Sequence, residues 1–311
     1  MAVNTDSTVR ERILVTGGTG QVGSELVKAL ALLGDVVAPG RDEMDLANAE
    51  SVRAVIRTVQ PRWIVNPAAY TAVDKAESEP ELAFAINAEA VRTIGEEALR
   101  ISAGVIHFST DYVFDGTGSV PYIETDAAAP VSVYGASKLA GERALAQSGA
   151  AHMIFRTSWV YGARGKNFLL TILKLARERE TLRVVADQHG APTWSRDLAE
   201  MTAHVIRQCE DGSDQNRQLE VFADRSGVYH AAGAGETTWY EFAVEALRLQ
   251  KEREPGQKFA AIEAISTTQY PTPARRPANS RLDCRKLKDR LGWQMMDWHE
   301  SLRKVLAEIP Q

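Results

Sequence analysis

Short apolar runs alternate with longer amphipathic segments along the first third of the chain. Residues 13–16 form an apolar, β-branched run that ends at a glycine pair, which predicts a buried strand. Over residues 21–33, valine and leucine recur every three or four positions, which predicts a helix that ends at Gly34. The pattern then repeats, with strands predicted at 35–38, 63–66 and 105–109 and helices at 51–59 and 79–100.

This alternation of strand and helix predicts an α/β fold with a doubly wound parallel sheet of the Rossmann type. The later pattern is less regular and predicts helices at 167–179 and 195–209, a polar connection at 210–218, a strand at 228–232 and a rigid loop at 270–277. We expect the strand at 228–232 to return to the first sheet. The predicted domains are a Rossmann domain of residues 11–165, to which 219–245 returns, and a smaller C-terminal substrate domain of residues 166–218 and 246–311.

Composition and charge narrow the class of protein. With 44% apolar and 25% charged residues among 311, the chain has the balance of a globular protein with a sizeable core. Its formal net charge of −5 argues against nucleic acid as a partner, because phosphate binding needs a clustered basic surface. The first ten residues are polar and no apolar run approaches about 20 residues, so we expect no leader, no membrane span and a cytoplasmic location.

A glycine-rich turn separates the first predicted strand from the first predicted helix. Its spacing is GxxGxxG, which lets backbone N–H groups at a helix N-terminus approach a pyrophosphate. The alternative is a tight structural turn. The cofactor contacts predicted from this turn are Gly17, Gly20, Gln21, Val22 and Gly23.

The end of the second predicted strand bears on the choice of cofactor. Enzymes that bind NAD usually place an acidic residue there, whereas this chain has Gly40 followed by Arg41. Arg41 can pair with a 2′-phosphate, which favours NADPH and leaves NADH open; the alternative is a solvent-facing arginine. Further cofactor contacts are predicted after the second and third strands, at Asp45, Leu46, Ala68, Ala69 and Tyr70.

Tyr134 and Lys138 carry the strongest signal for catalysis. Residues four apart share one face of a helix, so phenol and amine can meet in one site that also contacts the cofactor. The ammonium of Lys138 is expected to lower the pKa of Tyr134 and to make it a general acid/base for a carbonyl oxygen. Thr110, at the end of the strand 105–109, can hold the same oxygen.

These motifs resemble the extended short-chain dehydrogenase/reductase family. Within it, the chain is similar to the dTDP-4-dehydrorhamnose reductase branch over five stretches, at residues 71–77, 109–114, 155–161, 187–193 and 271–282. The resemblance implies NAD(P)H-dependent reduction of the C4 ketone of dTDP-4-dehydro-6-deoxy-L-mannose to dTDP-L-rhamnose, with Tyr134 as proton donor. It also implies that Asn87 braces the active-site backbone. The contacts expected with the nucleotide sugar are Thr110, Asp111, Trp159, Arg275 and Arg276, the two arginines as a diphosphate clamp.

Sibling activities remain as alternatives. Dehydratases of this family carry an acidic residue where this chain has Tyr112, which disfavours elimination of water. Another nucleotide-sugar reductase or epimerase, and a non-catalytic regulatory subunit with this fold, stay open. Some members of the family use Mg²⁺ at a dimer contact, and this sequence contains no carboxylate cluster that would bind one. We therefore predict no metal site and leave a homodimer open.

Three histidines and two cysteines are expected to have local roles. The histidines, His107, His189 and His230, are predicted to satisfy hydrogen bonds rather than to bind metal. The cysteines are far apart and lack metal-binding spacing, so neither a disulfide nor a zinc site is expected. Arg156 is a candidate for a buried ion pair.

Overall fold

The computed structural model describes residues 11–209 and 215–310. The polar segment 1–10 lies outside the described residues. Of the polar connection predicted at 210–218, residues 210–214 also lie outside them, and a helix begins at Gln215.

Six parallel strands form the central sheet. They are adjacent in the order β2–β1–β3–β4–β5–β10, and every pair is parallel. The strands of this sheet are β1 Arg12–Val15, β2 Asp35–Val37, β3 Trp63–Asn66, β4 Gly104–Thr110, β5 His152–Thr157 and β10 Gly227–His230. The predicted doubly wound parallel sheet is confirmed, including the late strand that returns to it.

Most of the connections between strands are helical. The helices before β10 are α1 Gln21–Leu30, α2 Ala49–Val59, α3 Val73–Ala76, α4 Pro80–Phe84, α5 Ala90–Ile101, α6 Val133–Gln147, α7 Phe168–Glu178, α8 Ser195–Arg207 and α9 Gln215–Ala223. Those after it are α10 Trp239–Arg253, α11 Arg285–Leu291 and α12 Trp298–Glu308.

Two predicted helices differ from those in the structure, one in where it ends and the other in its continuity. The first ends at Leu30 rather than near Gly34, because the chain turns there and Gly34 N–H donates to the carbonyl oxygen of Leu30 at 3.2 Å. The helix predicted at 79–100 is interrupted by a π-helical turn at Ala85–Glu89. Such turns widen a helix locally and are frequent at functional sites.

Helices cover both faces of the central sheet. On one face, α1 and α8 pack together, and Leu26, Leu30 and Leu198 are buried with the strand residues Ile13 and Val15. On the other face, α2, α5 and α6 bury their apolar stripes against the sheet. Strands covered on both faces need continuous apolar runs, which is why the sequence of these strands does not alternate.

A second core lies beside the sheet. Helices α7, α10 and α12 enclose it, and its largest fully buried side chains are those of Tyr161 and Phe242. Short strands complete this part of the protein. They are β6 Val160–Tyr161 with β9 Thr193–Trp194, β7 Thr181–Val185 with β12 Ala261–Ile265, and β8 His189–Gly190 with β11 Thr237–Thr238.

Helix α8 joins the two parts. The sequence places its residues in the range 166–218 of the substrate domain, but α8 packs on α1 against the central sheet. Arg196 on α8 forms ion pairs with Glu25 of α1 at 3.1 Å and with Glu308 of α12 at 2.5 Å. The domain boundaries given above stay a prediction.

Candidate active site

The glycine-rich turn lies where the strand order changes direction, between β1 and β3. Gly17 has φ +58°, and a Cβ atom there would lie 2.9 Å from Cβ of Ala68. A Cβ on Gly23 would lie 2.1 Å from the carbonyl oxygen of Gly17. The turn therefore excludes side chains at both positions and brings the N-terminus of α1 to the crevice between the two strands, where open α/β sheets bind ligands.

The side chain of Gln21 forms hydrogen bonds with other residues of the protein. It donates to the carbonyl oxygen of Lys166 at 3.1 Å and accepts from Nδ2 of Asn167 at 2.9 Å. Asn167 in turn caps α7. The groups of Gln21 and Val22 that remain for a phosphate are their backbone N–H groups, which have no acceptor within the first turn of a helix.

Of the residues predicted after β2, Arg41 and Asp45 are exposed and Leu46 is part-buried. Arg41 is exposed, and Glu43 accepts from the N–H of Gly40 beside it at 2.8 Å. The carboxylate of Asp45 accepts from the N–H of Ala47 at 2.9 Å, and Leu46 packs on the core under α2. All of these residues follow the carboxyl end of β2, the strand that pairs with β1.

Hydrogen bonds from the side chain of Asn87 hold the segment after β3. The side-chain oxygen of Asn87 accepts from the N–H of Tyr70 at 2.8 Å, and its Nδ2 donates to the carbonyl oxygen of Tyr70 at 3.2 Å and to Oγ of Ser137 at 3.0 Å. Ser137 lies on α6 beside Lys138. The π-helical turn around Asn87 thus connects the predicted cofactor segment with the helix that carries Tyr134.

Thr110 and Tyr134 meet at the carboxyl end of β4. Thr110 is buried, donates from Oγ1 to Asp111 at 3.0 Å and accepts from the N–H of Tyr112 at 3.2 Å. The hydroxyl of Thr110 lies close enough to the phenol of Tyr134 to lower its pKa. The ring of Tyr112 packs edge-on against that of Tyr134 at 5.5 Å. The three side chains thus lie together at the end of β4.

The ionisation of Tyr134 differs from the prediction. Burial raises its pKa to about 12, and the hydrogen bond with Thr110 opposes this rise only in part. The expected lowering by Lys138 is wrong for this structure, because the ammonium is turned to the carbonyl oxygen of Phe108, to which it donates at 2.6 Å. Tyr134 is thus a neutral phenol at neutral pH, which is the form that donates a proton.

Burial also shifts Lys138 and Asp111 toward their neutral forms. It lowers the pKa of Lys138 to about 8, although Glu142 nearby favours the charged amine. It raises the pKa of Asp111 to about 6, against hydrogen bonds from Ser280 and Thr110. Both side chains are less than 5% exposed.

Trp159 adopts a left-handed backbone conformation with φ +47° and is part-buried. Its ring stacks on that of Trp239 at 3.6 Å, and a Cβ on Gly190 would lie 2.5 Å from it. A non-glycine residue in this conformation is strained, and such strain is concentrated at functional sites. Sequence reasoning missed Trp239, because no local pattern connects the two tryptophans.

Of the two arginines predicted to bind the diphosphate, one already forms an ion pair within the protein. Arg275 is exposed, whereas Nη2 of Arg276 donates to Asp74 at 2.9 Å. Both arginines line a surface cleft with Arg281, Asp187 and His189. The cleft is therefore mixed in charge.

A buried ion pair connects β5 with α6, and a hydrogen bond connects the same carboxylate with β4. Arg156 donates from Nε and Nη2 to the two carboxylate oxygens of Glu142, at 2.9 and 2.7 Å, and Ser109 donates to the same carboxylate at 2.5 Å. The ion pair suggested for Arg156 is present. Its acidic partner lies on α6, one turn after Lys138.

Neither a metal site nor a membrane span is found in the part of the chain that the structure describes. No three His, Cys, Asp or Glu side chains come together as metal ligands among residues 11–209 and 215–310. The described helices include none that is both long and apolar enough to cross a bilayer.

A tyrosine and a lysine on one face of α6, beside a threonine at the end of β4 and next to a glycine-rich crevice, define the class of protein. It is the arrangement of a reductase or dehydrogenase of the extended short-chain type.

Comparison with known proteins narrows this class to one family. The family profile described as RmlD substrate binding domain matches residues 11–310. The dTDP-4-dehydrorhamnose reductase of Burkholderia thailandensis is 49% identical over 301 residues, which cover 96% of this chain and 99% of that protein. The one from Escherichia coli (strain K12) is 48% identical, over 96% of this chain and 97% of its own. The chain belongs to the dTDP-4-dehydrorhamnose reductase family.

Solved structures agree with this assignment. A dTDP-4-dehydrorhamnose reductase of Clostridium acetobutylicum superposes with a TM-score of 0.85 at 34% identity, over 95% of this chain and 98% of that one. The Bacillus anthracis enzyme in complex with NADP gives 0.84 at 33% identity, over 96% and 99%. The predicted family, fold class and assignment as an oxidoreductase are confirmed.

Proposed function

We propose that this protein reduces the C4 ketone of dTDP-4-dehydro-6-deoxy-L-mannose to give dTDP-L-rhamnose, with Tyr134 as the proton donor. The observation that carries the proposal is the proximity of Thr110 and Tyr134 at the carboxyl end of β4, in a chain of this family. The Bacillus anthracis relative was solved in complex with NADP, which supports NADPH as the cofactor.

The cofactor is held by the glycine-rich turn and by the edge of the sheet. Gly17 and Gly23 let the turn pack closely against Ala68 and against itself, which brings the N-terminus of α1 to the crevice, where the helix dipole favours the negative charge of a pyrophosphate. Arg41 is exposed at the end of β2 and is assigned to the 2′-phosphate. When bound, the reduced nicotinamide supplies a hydride to the carbonyl carbon.

Side chains of the protein position the ketone and transfer the proton. Thr110 and Tyr134 hydrogen-bond to the ketone oxygen and fix its position. As that oxygen becomes an alkoxide, Tyr134 gives it the phenol proton, because an alkoxide is a stronger base than a phenolate. The raised pKa of Tyr134 keeps this proton in place until charge develops. Lys138 on α6, whose amine donates to the carbonyl oxygen of Phe108, is assigned to the nicotinamide ribose of the bound cofactor.

The nucleotide sugar is assigned to the surfaces that flank Tyr134. Trp159 offers a flat aromatic face, and Asp111 lies beside Thr110. Arg275 and Arg276 line a surface cleft, so the diphosphate is assigned to them. Asp74 holds Arg276 in place and leaves part of its guanidinium to the ligand.

The reaction is tested by mixing the protein with NADPH and the dTDP-linked keto sugar and following nicotinamide absorbance. We expect turnover with the dTDP substrate. Turnover with UDP-linked sugars alone would replace this proposal by a sibling reductase or epimerase. Binding of the nucleotide without reduction of any keto sugar would favour a regulatory subunit.

Replacement of Tyr134 tests the proton donor. Tyr134→Phe keeps the ring and its contact with Tyr112 but removes the hydroxyl, so kcat should fall by about 100-fold or more. Binding of NADPH, measured by fluorescence titration, should change little and serves as the control for folding. Full-speed reduction by this variant would rule out the mechanism.

A homodimer and a cytoplasmic location stay predictions. Sedimentation velocity at several protein concentrations would determine the oligomeric state.

A further inference from the structure

A buried histidine contacts the amine of Lys138 and has no part in the reaction described above. His107 lies on β4 and has no solvent exposure. Its Nε2 lies 3.3 Å from Nζ of Lys138, and the same Nζ donates to the carbonyl oxygen of Phe108 at 2.6 Å. Two consecutive residues of one strand therefore engage two of the three N–H groups of the ammonium.

The protonation state of His107 follows from these neighbours. An ammonium can only donate, so Nε2 of His107 must accept and carry no proton. Burial, and then the positive charge of Lys138, hold the pKa of His107 well below its usual value, so the ring is neutral. A neutral imidazole with a bare Nε2 carries its proton on Nδ1.

The proton on Nδ1 identifies the next group in the network. In the structure, Nδ1 of His107 lies 3.0 Å from Nδ2 of Asn66, and Oδ1 of the same amide accepts from Oγ1 of Thr16 at 2.5 Å. The two ends of an amide interchange by a half-turn, and of these two ends only the oxygen can accept from Nδ1–H, so this tautomer requires the turned amide. In the turned orientation, Asn66 would donate to Thr16 instead of accepting from it.

With the amide of Asn66 turned in this way, the donors and acceptors agree along the whole network. Lys138 then donates to His107, His107 to Asn66, and Asn66 to Thr16. Oγ1 of Thr16 also lies 3.4 Å from the N–H of Ala68, from which it accepts. Thr16 directly precedes Gly17, so one buried chain of hydrogen bonds crosses β4, β3 and β1 from the catalytic helix to the glycine-rich turn.

We propose that His107, as the neutral tautomer protonated on Nδ1, is a positioning residue that holds the amine of Lys138 at the end of β4 and couples it to the cofactor turn. The proposal rests on the assignment of Lys138 to the active site. Because the interaction is direct and buried, it can be tested on the amine itself, without any sugar substrate.

The tautomer is tested in the wild-type protein by ¹⁵N NMR of labelled histidine, with the His107 signals identified by their loss in His107→Gln. We expect Nδ1 to show the shift of a protonated nitrogen and Nε2 that of a bare one, unchanged between pH 6 and pH 8. A proton on Nε2, or a charged ring, would overturn the proposal.

Two substitutions separate the acceptor from the space that the ring fills. His107→Gln places an amide oxygen near the position of Nε2, whereas His107→Leu fills much of the volume without an acceptor. The Lys138 amine, whose pKa is about 8 in the wild-type protein, is followed by NMR of lysine labelled with ¹³C at Cε. In His107→Leu its midpoint should fall by about one pH unit, because the ammonium loses a hydrogen bond. His107→Gln should restore most of the loss, and equal midpoints in all three proteins would contradict the proposal.

The kinetic consequence is a lower kcat. A displaced amine should reduce kcat about 10-fold or more in His107→Leu, with a smaller change in KM for the sugar, and His107→Gln should recover most of it. If the midpoint shifts as expected but no keto sugar is reduced by the wild-type protein, the proposed reaction is wrong and the positioning of Lys138 stands. If His107→Leu does not fold, the wild-type tautomer and His107→Gln decide.

Discussion

Three ionisable side chains around the end of β4 are shifted toward their neutral forms. Burial raises the pKa of Tyr134 to about 12 and that of Asp111 to about 6, and it lowers the pKa of Lys138 to about 8. Desolvation outweighs the nearby charges, because each group is enclosed on several sides by the sheet and by α6. At the scale of single residues, burial thus brings the pKa values of Asp111 and Lys138 closer to neutral pH and keeps the phenol of Tyr134 protonated.

Asp111→Asn should change the pH dependence of stability. The folded-state pKa of Asp111 is raised from 3.8 to about 6, so the ionised carboxylate is less stable in the folded protein than in the unfolded one. Its contribution to stability is present at low pH and is lost as pH rises from about 4 to about 6. The free energy of unfolding of the variant, relative to wild type, should therefore increase by about 2 kcal/mol between pH 4 and pH 7.

Urea denaturation at the two pH values measures this difference. Asp283→Asn is the matched control, because hydrogen bonding to Arg285 lowers the pKa of Asp283 and its effect should have the opposite sign. An Asp111→Asn difference that is the same at both pH values would show that the carboxyl is not destabilised by burial.

Helix α6 carries Tyr134 and Lys138, and contacts at three points along its length hold it in place. Ser132 caps its N-terminus by accepting from the N–H of Gly135 at 3.1 Å. Gly141, near its middle, lies so close to the π-helical turn that a Cβ there would be 2.0 Å from the carbonyl oxygen of Asn87. Beyond it, Glu142 pairs with Arg156 below the sheet edge.

Gly141→Ala should displace α6 from the π-helical turn. Neither backbone can yield cheaply at 2.0 Å, so the variant should lose about 1–3 kcal/mol of stability through overpacking. Because α6 carries Tyr134 and Lys138, kcat should fall about 10-fold or more. Thermal melts and steady-state kinetics are the measurements. Gly256→Ala has open space for its Cβ and should behave as wild type; an unaltered Gly141→Ala would mean that this close approach does not position α6.

Across the whole molecule, the site is assembled from distant segments. The central sheet supplies the crevice and the catalytic side chains, whereas the cleft beside them is formed by loops near residues 115–119, 187–189 and 275–281. Asn279 joins these loops. Its Nδ2 donates to the carbonyl oxygens of Gly118 and Val120 at 2.9 and 2.8 Å, and its side-chain oxygen accepts from Arg281.

Asn279→Ala should loosen the substrate cleft while it leaves the cofactor turn intact. Loss of these buried hydrogen bonds should raise KM for the nucleotide sugar about 10-fold, equivalent to about 1.4 kcal/mol, with a smaller effect on kcat. The dissociation constant of NADPH should stay near that of wild type. Gln257→Ala, which removes only a local surface hydrogen bond, is the control. A weaker affinity for NADPH with an unchanged KM for the sugar would contradict this division of the site.

Local patterns were sufficient for much of the fold and for the grouping of the site residues. Strand and helix periods repeat within a few residues, so the alternation of β1, α1 and β2 could be read directly from the sequence. The spacing of Tyr134 and Lys138 places them on one face of any helix. The glycines of the turn after β1 were also predicted from a local pattern, because a glycine-rich turn that binds a pyrophosphate needs glycine at this spacing.

What the sequence could not supply depends on atoms that are distant along the chain. The packing of α8 on α1, the stacking of Trp159 on Trp239 and the pairing of Arg276 with Asp74, which are 202 residues apart, arise only when the chain is compact. The same holds for ionisation. Sequence spacing suggested that Lys138 lowers the pKa of Tyr134, but desolvation is set by all surrounding atoms, and only the tertiary structure determines its size and turns the ammonium toward His107 and Phe108.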